Sequence, residues 1–258
     1  MFRRSTLSLA ILLWMFCFVC LGQQAQDSTK LETLRTQSGV DPTRVVTKLV
    51  YSIWYYDKSD NRAQINNRLN FTIGVNRWSF ALKPEIITLN NGLPSGTFET
   101  KAGDLRFSIL NAFYVKGKHA LAGAAEFTLP TGPLGFGSQY FSVNPSLTYS
   151  YTINSSLFFA IQPQYLFHLS RNIDFPALSV FTIRTFLAKF MSSGWFFVFE
   201  PRIINDFENN NFDLVFSPII GKSLGGGFNI TSVAEFPIKR ETLDNRGLLI
   251  SFGITKNF

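Results

Sequence analysis

The sequence predicts an all-β protein: a closed antiparallel transmembrane β-barrel of twelve strands, preceded by a cleaved signal peptide. Along most of the chain after residue 44, apolar and polar residues alternate with a period of two. This is the pattern of strands that have one face in lipid and the other in a polar lumen. The segments between the alternating stretches are short and long in turn, as in bacterial outer-membrane barrels with short periplasmic turns and longer extracellular loops.

Residues 1–22 have the features of a secretory signal peptide. Two arginines precede an apolar stretch from Leu7 to Leu21, which is shorter than the roughly 20 residues of a membrane helix. Both cysteines lie inside this stretch, so we expect no disulfide and no cysteine-based metal site in the mature chain. Residues 23–44 are polar. Leu31 and Leu34 could form one or two helical turns there, but a solvated periplasmic lead-in is the preferred interpretation. Residues 45–258 are interpreted as the barrel.

The composition and the motif content argue against several classes of function. The chain has 258 residues and a formal net charge of +7, a mildly basic balance that argues against a dedicated nucleic-acid-binding protein. No phosphate loop, dinucleotide fingerprint or cluster of His and carboxylate residues is present in the sequence. We therefore predict no cofactor and no metal site.

The alternating stretches define twelve strands, an even number, as single-chain bacterial barrels require. Each has about ten residues or more, which suits a strand that is tilted across a membrane. The predicted strands are 45–56, 64–75, 78–88, 105–115, 120–130, 140–153, 157–169, 177–190, 195–205, 214–224, 228–238 and 248–258. The longest predicted loop, Leu89–Asp104, connects the third strand to the fourth.

The last strand shows the alternation clearly. Leu248, Ile250 and Phe252 share one face, and small polar residues occupy the other. The strand ends on Phe258, which resembles the C-terminal signature of outer-membrane barrels. We therefore expect the protein to lie in the outer membrane of a Gram-negative cell, with its surface in lipid. The barrel-assembly machinery is the expected partner of this strand.

The period of two also predicts which side chains face the lumen. Seven charged residues would project inward at a similar height: Lys83, Glu85, Arg106, Glu126, Glu200, Arg202 and Glu235. They are predicted either to form a polar constriction that screens solutes or to form a ladder of ion pairs that fills the barrel without conduction. Most inward positions below them carry small residues, so space is expected to remain. Tyr114, Phe196 and Val198 would add apolar lumen surface, which suits amphipathic or aromatic solutes.

Prolines interrupt the predicted strands in an ordered way. They lie toward the extracellular ends, at Pro84, Pro130, Pro145, Pro163, Pro201, Pro218 and Pro237. Because proline cannot donate a hydrogen bond to a sheet ladder, we predict irregular pairing in a belt near the extracellular rim. Bulges in that belt would bend strands inward or open a gap in the wall.

A catalytic alternative rests on His168 and Ser170, at the end of the seventh predicted strand. A serine hydrolase needs a base beside the nucleophile and a third group that orients the base. The His-x-Ser resembles that of the outer-membrane phospholipase A barrel, but Thr182 stands where that family has an Asn. The alternation also turns His168 toward the lumen, whereas the catalytic pair of that family faces lipid. We therefore predict that the protein is not an enzyme.

Three short motifs in the middle of the chain carry a family resemblance. They are Gly103-Asp-Leu-Arg-Phe-Ser108, Phe127-Thr-Leu-Pro-Thr-Gly132 and Asn144-Pro-Ser-Leu147. Together they resemble an outer-membrane barrel family labelled for the MetA pathway of phenol degradation. That resemblance implies a transporter-like barrel for aromatic or hydrophobic compounds. An extracellular loop would then contain Thr131, Gly132, Gly135 and Gly137, and would either fold over the mouth of the barrel or be an ordinary surface loop.

The leading hypothesis is an outer-membrane channel for passive uptake of small solutes, hydrophobic or aromatic ones among them. A phospholipase-like hydrolase and a structural barrel with a plugged lumen are the alternatives. An open lumen or a side gap would favour the channel, and a contact between His168 and Ser170 would favour the hydrolase. A lumen packed shut by side chains or by residues 23–44 would favour the structural barrel.

Overall fold

A computed structural model describes residues 28–58, 62–90, 92, 96–241 and 246–258. The predicted signal peptide and the start of the predicted lead-in lie outside the described residues. Parts of three predicted loops also lie outside them, at 59–61, at 91 and 93–95, and at 242–245. Within the described ranges, no helix is both long and apolar enough to cross a membrane.

The described residues form one short helix and sixteen strand segments, which build a closed antiparallel barrel of twelve strands. The helix, α1, is Ser28–Ser38. The strand segments are β1 (Lys48–Lys58), β2 (Arg62–Val75), β3 (Trp78–Lys83), β4 (Glu85–Asn90), β5 (Phe98–Ala102), β6 (Leu105–Lys116), β7 (His119–Leu129), β8 (Tyr140–Asn154), β9 (Leu157–Arg171), β10 (Ser179–Phe190), β11 (Trp195–Phe199), β12 (Pro201–Asp206), β13 (Asn211–Phe216), β14 (Ile219–Gly225), β15 (Phe228–Lys239) and β16 (Arg246–Asn257). Four barrel strands consist of two segments each: β3 with β4, β5 with β6, β11 with β12, and β13 with β14. The ring closes where β1 pairs with β16, so the predicted fold class is confirmed.

The short turns between the strands depend on residues that tolerate left-handed backbone. Asn76 has a φ of 54° in the turn from β2 to β3, a conformation that two-residue hairpin turns require and that asparagine adopts readily. Gly225, Gly226 and Gly227 all have positive φ in the turn before β15. These local preferences explain why the sequence placed the strand ends to within a few residues.

Large apolar side chains cover the outside of the barrel. Ile73 on β2 is 60% exposed, and Phe252 on β16 is 63% exposed. An apolar surface of this extent is unfavourable in water but matches a bilayer, where a closed ring also leaves no unpaired strand edge. The outward face is therefore the lipid face, as the alternation in the sequence predicts.

Three of the seven prolines interrupt the strands, as predicted, whereas Pro145, Pro163 and Pro237 lie within the continuous strands β8, β9 and β15. Pro84 separates β3 from β4, Pro201 follows the break between β11 and β12, and Pro218 lies in the break between β13 and β14. The Ser217 N–H donates to the Glu200 carbonyl at 2.8 Å, so this hydrogen bond joins the two neighbouring strands at their breaks. The breaks lie beside charged residues of the lumen, and they position those side chains.

The prediction of one long loop over residues 89–104 is wrong. Strand β4 extends to Asn90, and β5 returns along it with Phe98 opposite Asn90. The two strands therefore stay paired beyond residue 88, where the alternation of apolar and polar residues in the sequence becomes unclear. Exposed threonine, lysine and glutamate residues in β5 hid the strand, because both of its faces meet solvent.

Tyr114 does not face the lumen, contrary to the sequence prediction. The pairing of β6 with β7 shifts register between Asn111 and Tyr114, so that Tyr114 lies opposite the outward-facing Leu121. A bulge inserts one extra residue and reverses the alternation of side chains beyond it. A strict period of two cannot anticipate such an insertion.

Candidate functional site in the barrel lumen

One group of charged side chains lines the inner wall from β2 to β7, and we call it the β2–β7 arc. It consists of Arg68, Lys83, Glu85, Arg106 and Glu126. Glu85 Oε2 accepts a hydrogen bond from Arg68 Nε at 2.7 Å and another from Arg106 Nη2 at 2.9 Å. Lys83 pairs with Glu126, and their side chains are 26% and 29% exposed. Part of this arc therefore remains accessible from the lumen.

A second group, the β10–β15 arc, consists of Arg184, Glu200, Arg202 and Glu235. Glu200 is fully buried. Its Oε1 atom accepts one hydrogen bond from Arg184 Nε at 2.7 Å and another from Arg202 Nε at 2.6 Å. Arg202 Nη1 also donates to Glu235 Oε2 at 2.7 Å. Because charges withdrawn from water are stabilised only by close partners, this arc rigidifies the wall where the strands break.

The two arcs lie on opposite walls of the barrel. In ring order, β8 and β9 separate them on one side, and β16 and β1 separate them on the other. The ion pairs described above join members of the same arc, so neither arc depends on the other for its charge balance. The arcs border the bore instead of bridging it, which favours a constriction over a filled barrel.

All seven inward charges named from the sequence belong to these arcs. Arg68 and Arg184 are also members of the arcs but are absent from the set predicted from the sequence. Arg184 lies two positions before the inward-facing Phe186 on β10, so the same period of two could have found it. What the sequence did not reveal is that each arginine shares a carboxylate with a second arginine.

Helix α1 lies inside the barrel near the end with the short turns. Leu31 and Leu34, one turn apart on the helix, are 1% and 7% exposed and pack in one apolar cluster with inward side chains of β9, β10 and β11. The Gln37 carbonyl accepts hydrogen bonds from Asn229 Nδ2 of β15 and Asn257 Nδ2 of β16, each at 2.9 Å. Helix α1 thus reaches from one wall of the lumen to another.

Arg35 anchors the helix through polar contacts. Its Nε donates to Asp41 Oδ2 at 2.7 Å and its Nη2 to Ser150 Oγ at 3.1 Å, while its guanidinium carbon lies 4.4 Å from the centroid of the Phe158 ring. Arg35 and Asp41 are both buried. The expected solvated lead-in is therefore wrong for residues 28–44. Two leucines in a polar segment are too weak a signal to predict a buried helix.

A cavity of about 560 Å³ remains beside the helix, toward β1, β2 and β16. Its lining includes Glu32, Thr33, Thr36, Gln37, Thr47 and Asn257. Most of these groups can bind water. Helix α1 therefore fills one side of the bore at this end and leaves a polar space on the other.

Two of the three motifs named from the sequence, Gly103–Ser108 and Phe127–Gly132, meet at the opposite rim and hold a loop in place. Asp104 is buried, and its Oδ1 atom accepts a hydrogen bond from the Gly132 N–H at 3.0 Å. Its Oδ2 atom accepts hydrogen bonds from the N–H and the hydroxyl of Ser138, both at 2.6 Å. Thr131 Oγ1 accepts the Leu105 N–H at 2.9 Å. We call residues 131–139, closed in this way, the Asp104 clasp.

Two glycines of the clasp allow this close approach. A Cβ atom on Gly137 would lie 2.5 Å from Asp104 Oδ1, and one on Gly132 would lie 2.8 Å from the Gly137 Cα. Gly135 has a φ of 84°, which a larger residue would adopt only with strain. The Gly-Asp and Leu-Pro-Thr-Gly motifs thus serve one compact structure.

Replacing Asp104 with alanine is expected to loosen the clasp without unfolding the barrel. Loss of hydrogen bonds to a carboxylate costs roughly 1.5–3 kcal/mol each. Amide exchange at Gly132 and Ser138 should therefore accelerate by about tenfold or more, as measured by hydrogen–deuterium exchange. Asp174→Ala, in another loop at the same rim, is the matched control. Unchanged protection at Ser138 in the Asp104 variant would contradict the assignment.

Glu241, which follows β15 at this rim, contacts the neighbouring strand β13. Its carboxylate accepts the Phe212 N–H at 2.9 Å and pairs with Lys239 Nζ at 2.7 Å. The hydrogen bond from Lys239, followed by that from the Phe212 backbone, lowers the pKa of Glu241 below its ordinary value. Glu241 therefore stays charged to a lower pH than a free glutamate.

The predicted hydrolase pair is not assembled. The Leu178 N–H donates to His168 Nδ1 at 3.1 Å, and Ser170 lies exposed opposite Phe141. Among the described residues, no hydrogen bond joins His168 to Ser170. The described part of the chain also contains no group of His, Cys, Asp and Glu side chains that could hold a metal ion.

Three solved structures with a similar fold are an outer membrane channel and two porins. The COG4313 outer membrane channel from Pseudomonas putida F1 superposes with a TM-score of 0.66 at 12% identity, over 83% of this chain and 96% of that chain. The NanC porin gives a TM-score of 0.61 at 12% identity, over 81% of this chain and 98% of that one. The KdgM porin gives a TM-score of 0.57 at 9% identity, over 82% of this chain and 99% of that one.

The chain has the same closed β-barrel fold as these three proteins. A closed β-barrel with an apolar outer surface belongs in the outer membrane, which is the bacterial membrane that holds such barrels. No protein-family model matches this chain, and no curated protein matches it either. The resemblance to the family labelled for the MetA pathway therefore stays a prediction.

Proposed function

We propose that this protein is a channel for passive passage of small solutes and that α1 closes it at its periplasmic end. The observation that carries the proposal is the identity of the closing element. A separate helix, not the strands of the wall, occupies the short-turn end of the lumen. A helix that is not part of the wall can leave without breaking a strand pair.

The contacts that hold α1 are few enough for reversible release. Burial of Leu31 and Leu34 contributes roughly 1.5–3 kcal/mol for each side chain. The contacts of Arg35 and the Gln37 carbonyl are hydrogen bonds that water can replace, with a net value near 1 kcal/mol for most. A ligand or a membrane potential can shift a balance of this size.

The groups on the inner wall are suited to the passage of amphipathic solutes. Lys83 and Glu126 stay partly exposed on the β2–β7 arc and offer both signs of charge to a passing molecule. Phe196 and Val198 face inward below the β10–β15 arc and are buried in the cluster that α1 joins, so their apolar surface becomes available when α1 leaves. Solutes with an apolar or aromatic part match this combination of groups.

A structural barrel with a plugged lumen is the second candidate, and the burial of α1 favours it. In that case α1 would stay in place whenever the barrel is folded. The channel and the plugged barrel thus differ in one property, which is whether current flows through the folded protein.

Single-channel recording in planar bilayers, with Lys83→Ala beside the unaltered protein, tests the proposal. We expect discrete openings and, because Glu126 loses its cation partner, a reversal potential in a salt gradient that shifts toward cation selectivity in the variant. Lys118→Ala, at a short turn outside the lumen, should leave the reversal potential unchanged. If the barrel is folded and heat-modifiable but no current is recorded, the aqueous channel is excluded as its function.

A further inference from the structure

Four phenylalanines form an apolar wall inside the lumen, and we call them the phenylalanine patch: Phe158, Phe186, Phe190 and Phe196. Phe190 lies between two of the others, with ring centroids 6.0 Å from Phe158 and 5.8 Å from Phe196. All four are at most 3% exposed. The patch extends over β9, β10 and β11 on one side of the lumen.

The neighbouring strand is shaped to hold the patch flat. A Cβ atom on Gly221 of β14 would lie 2.1 Å from Cζ of Phe196, so only glycine leaves room for the ring there. The ring therefore lies against the wall instead of extending across the bore. When α1 is absent, such an arrangement leaves open lumen with an aromatic lining.

The protein covers the patch with little apolar material of its own. In the described chain, Leu31 and Leu34 are the buried apolar side chains that α1 contributes to the cluster, with Val40 packed at its edge. The four aromatic rings provide more apolar surface than two leucine side chains need for packing. We infer that this surface also binds the apolar part of a solute.

A cationic group borders the patch on the side toward the charged arcs. The guanidinium carbon of Arg184 lies 4.9 Å from the centroid of Phe186. Its Nε and Nη2 bind Glu200, while Nη1 has a long contact of 3.4 Å with Gln162 Oε1. Nη1 is thus the donor best placed to bind a carboxylate whose apolar body lies on the patch.

We propose that the phenylalanine patch is a binding site for ring-bearing carboxylates, and that such a solute and the leucines of α1 compete for it. The proposal rests on the proposed channel, whose closing helix would then be displaced by the solute itself. Binding of a ring opens the periplasmic end, and return of α1 closes it. The patch therefore couples recognition of the solute to opening.

Electron paramagnetic resonance of α1 tests this competition on the full mature barrel in nanodiscs. Thr36→Cys carries a nitroxide label that lines the cavity beside the helix and loses its immobilisation when α1 is released. We titrate 4-phenylbutyrate and butyrate, which share a carboxylate and differ by a ring. The concentration that releases half of the α1 helices is expected to be at least about tenfold lower for 4-phenylbutyrate than for butyrate, because burial of the ring adds to its binding free energy.

Two variants on the same strand separate the patch from general effects. Phe196→Ala should reduce the tenfold preference for the ring to about one, even where it also loosens the helix. Phe199→Ala removes a ring from the lipid face of β11 and should leave the preference unchanged. A nitroxide at Glu208→Cys, in an exposed loop, should report no change with either solute.

The outcomes distinguish this inference from the proposed channel. Equal release by both solutes, or a response of the Glu208 label, would overturn the binding site and leave the channel standing. Release by 4-phenylbutyrate with a lost preference in Phe196→Ala supports the site, even if the same barrel carries no current. That last result would overturn the channel alone.

Discussion

Replacing Leu31 and Leu34 together with alanine is expected to raise the time-averaged current through the barrel by at least tenfold. Each substitution removes three carbons from a buried position, which is worth roughly 2 kcal/mol at about 0.8 kcal/mol per CH₂. The two together weaken the closed state by about 4 kcal/mol, or around a thousandfold in the closed-to-open ratio. The gain in current stays below this ratio because the open fraction of the variant cannot exceed one.

Bilayer recording on the double variant and on Lys30→Ala measures this effect. Lys30 lies exposed on the same helix, so its truncation should leave the current unchanged. Protease accessibility of residues 28–38 reports independently whether the helix has left its seat. A released helix without a rise in current would mean that other groups close the lumen, and the plugged structural barrel would then be the better account.

Glu200→Gln is expected to destabilise the barrel by about 1.5–3 kcal/mol, the usual cost of losing a hydrogen bond to a charged group. Glu200 is fully buried and accepts from both Arg184 and Arg202 at the point where β11 and β12 are separated. The carboxylate thus joins neighbouring strands where the ladder is interrupted. A neutral amide cannot balance two guanidinium groups.

Urea unfolding of the barrel in detergent, followed by heat modifiability on gels, gives this free energy. Glu126→Gln is the matched control, because Glu126 pairs with Lys83 at a position 29% exposed. Its loss should cost no more than about 1 kcal/mol, as for other solvated ion pairs. Equal unfolding midpoints for the two variants would show that burial does not strengthen the β10–β15 arc.

The architecture was predictable because its signals are local. Alternation with a period of two reports the two sides of each strand, and turn residues such as Asn76 report where strands end. The inward charges followed from the same period, and all seven lie in the two arcs. Tyr114 was misplaced because a bulge in β6 breaks that period without a sequence signal.

The sequence by itself determined the ring of strands, its lipid face and the set of charges that faces inward, since each depends on neighbours in the chain. Only the tertiary structure decided how those charges divide between two opposite arcs. It also decided that α1 lies on the phenylalanine patch, with Arg35 bound to Ser150 across 115 positions of the sequence. Such contacts depend on curvature that brings distant strands together, and a pattern along one strand carries no information about that curvature.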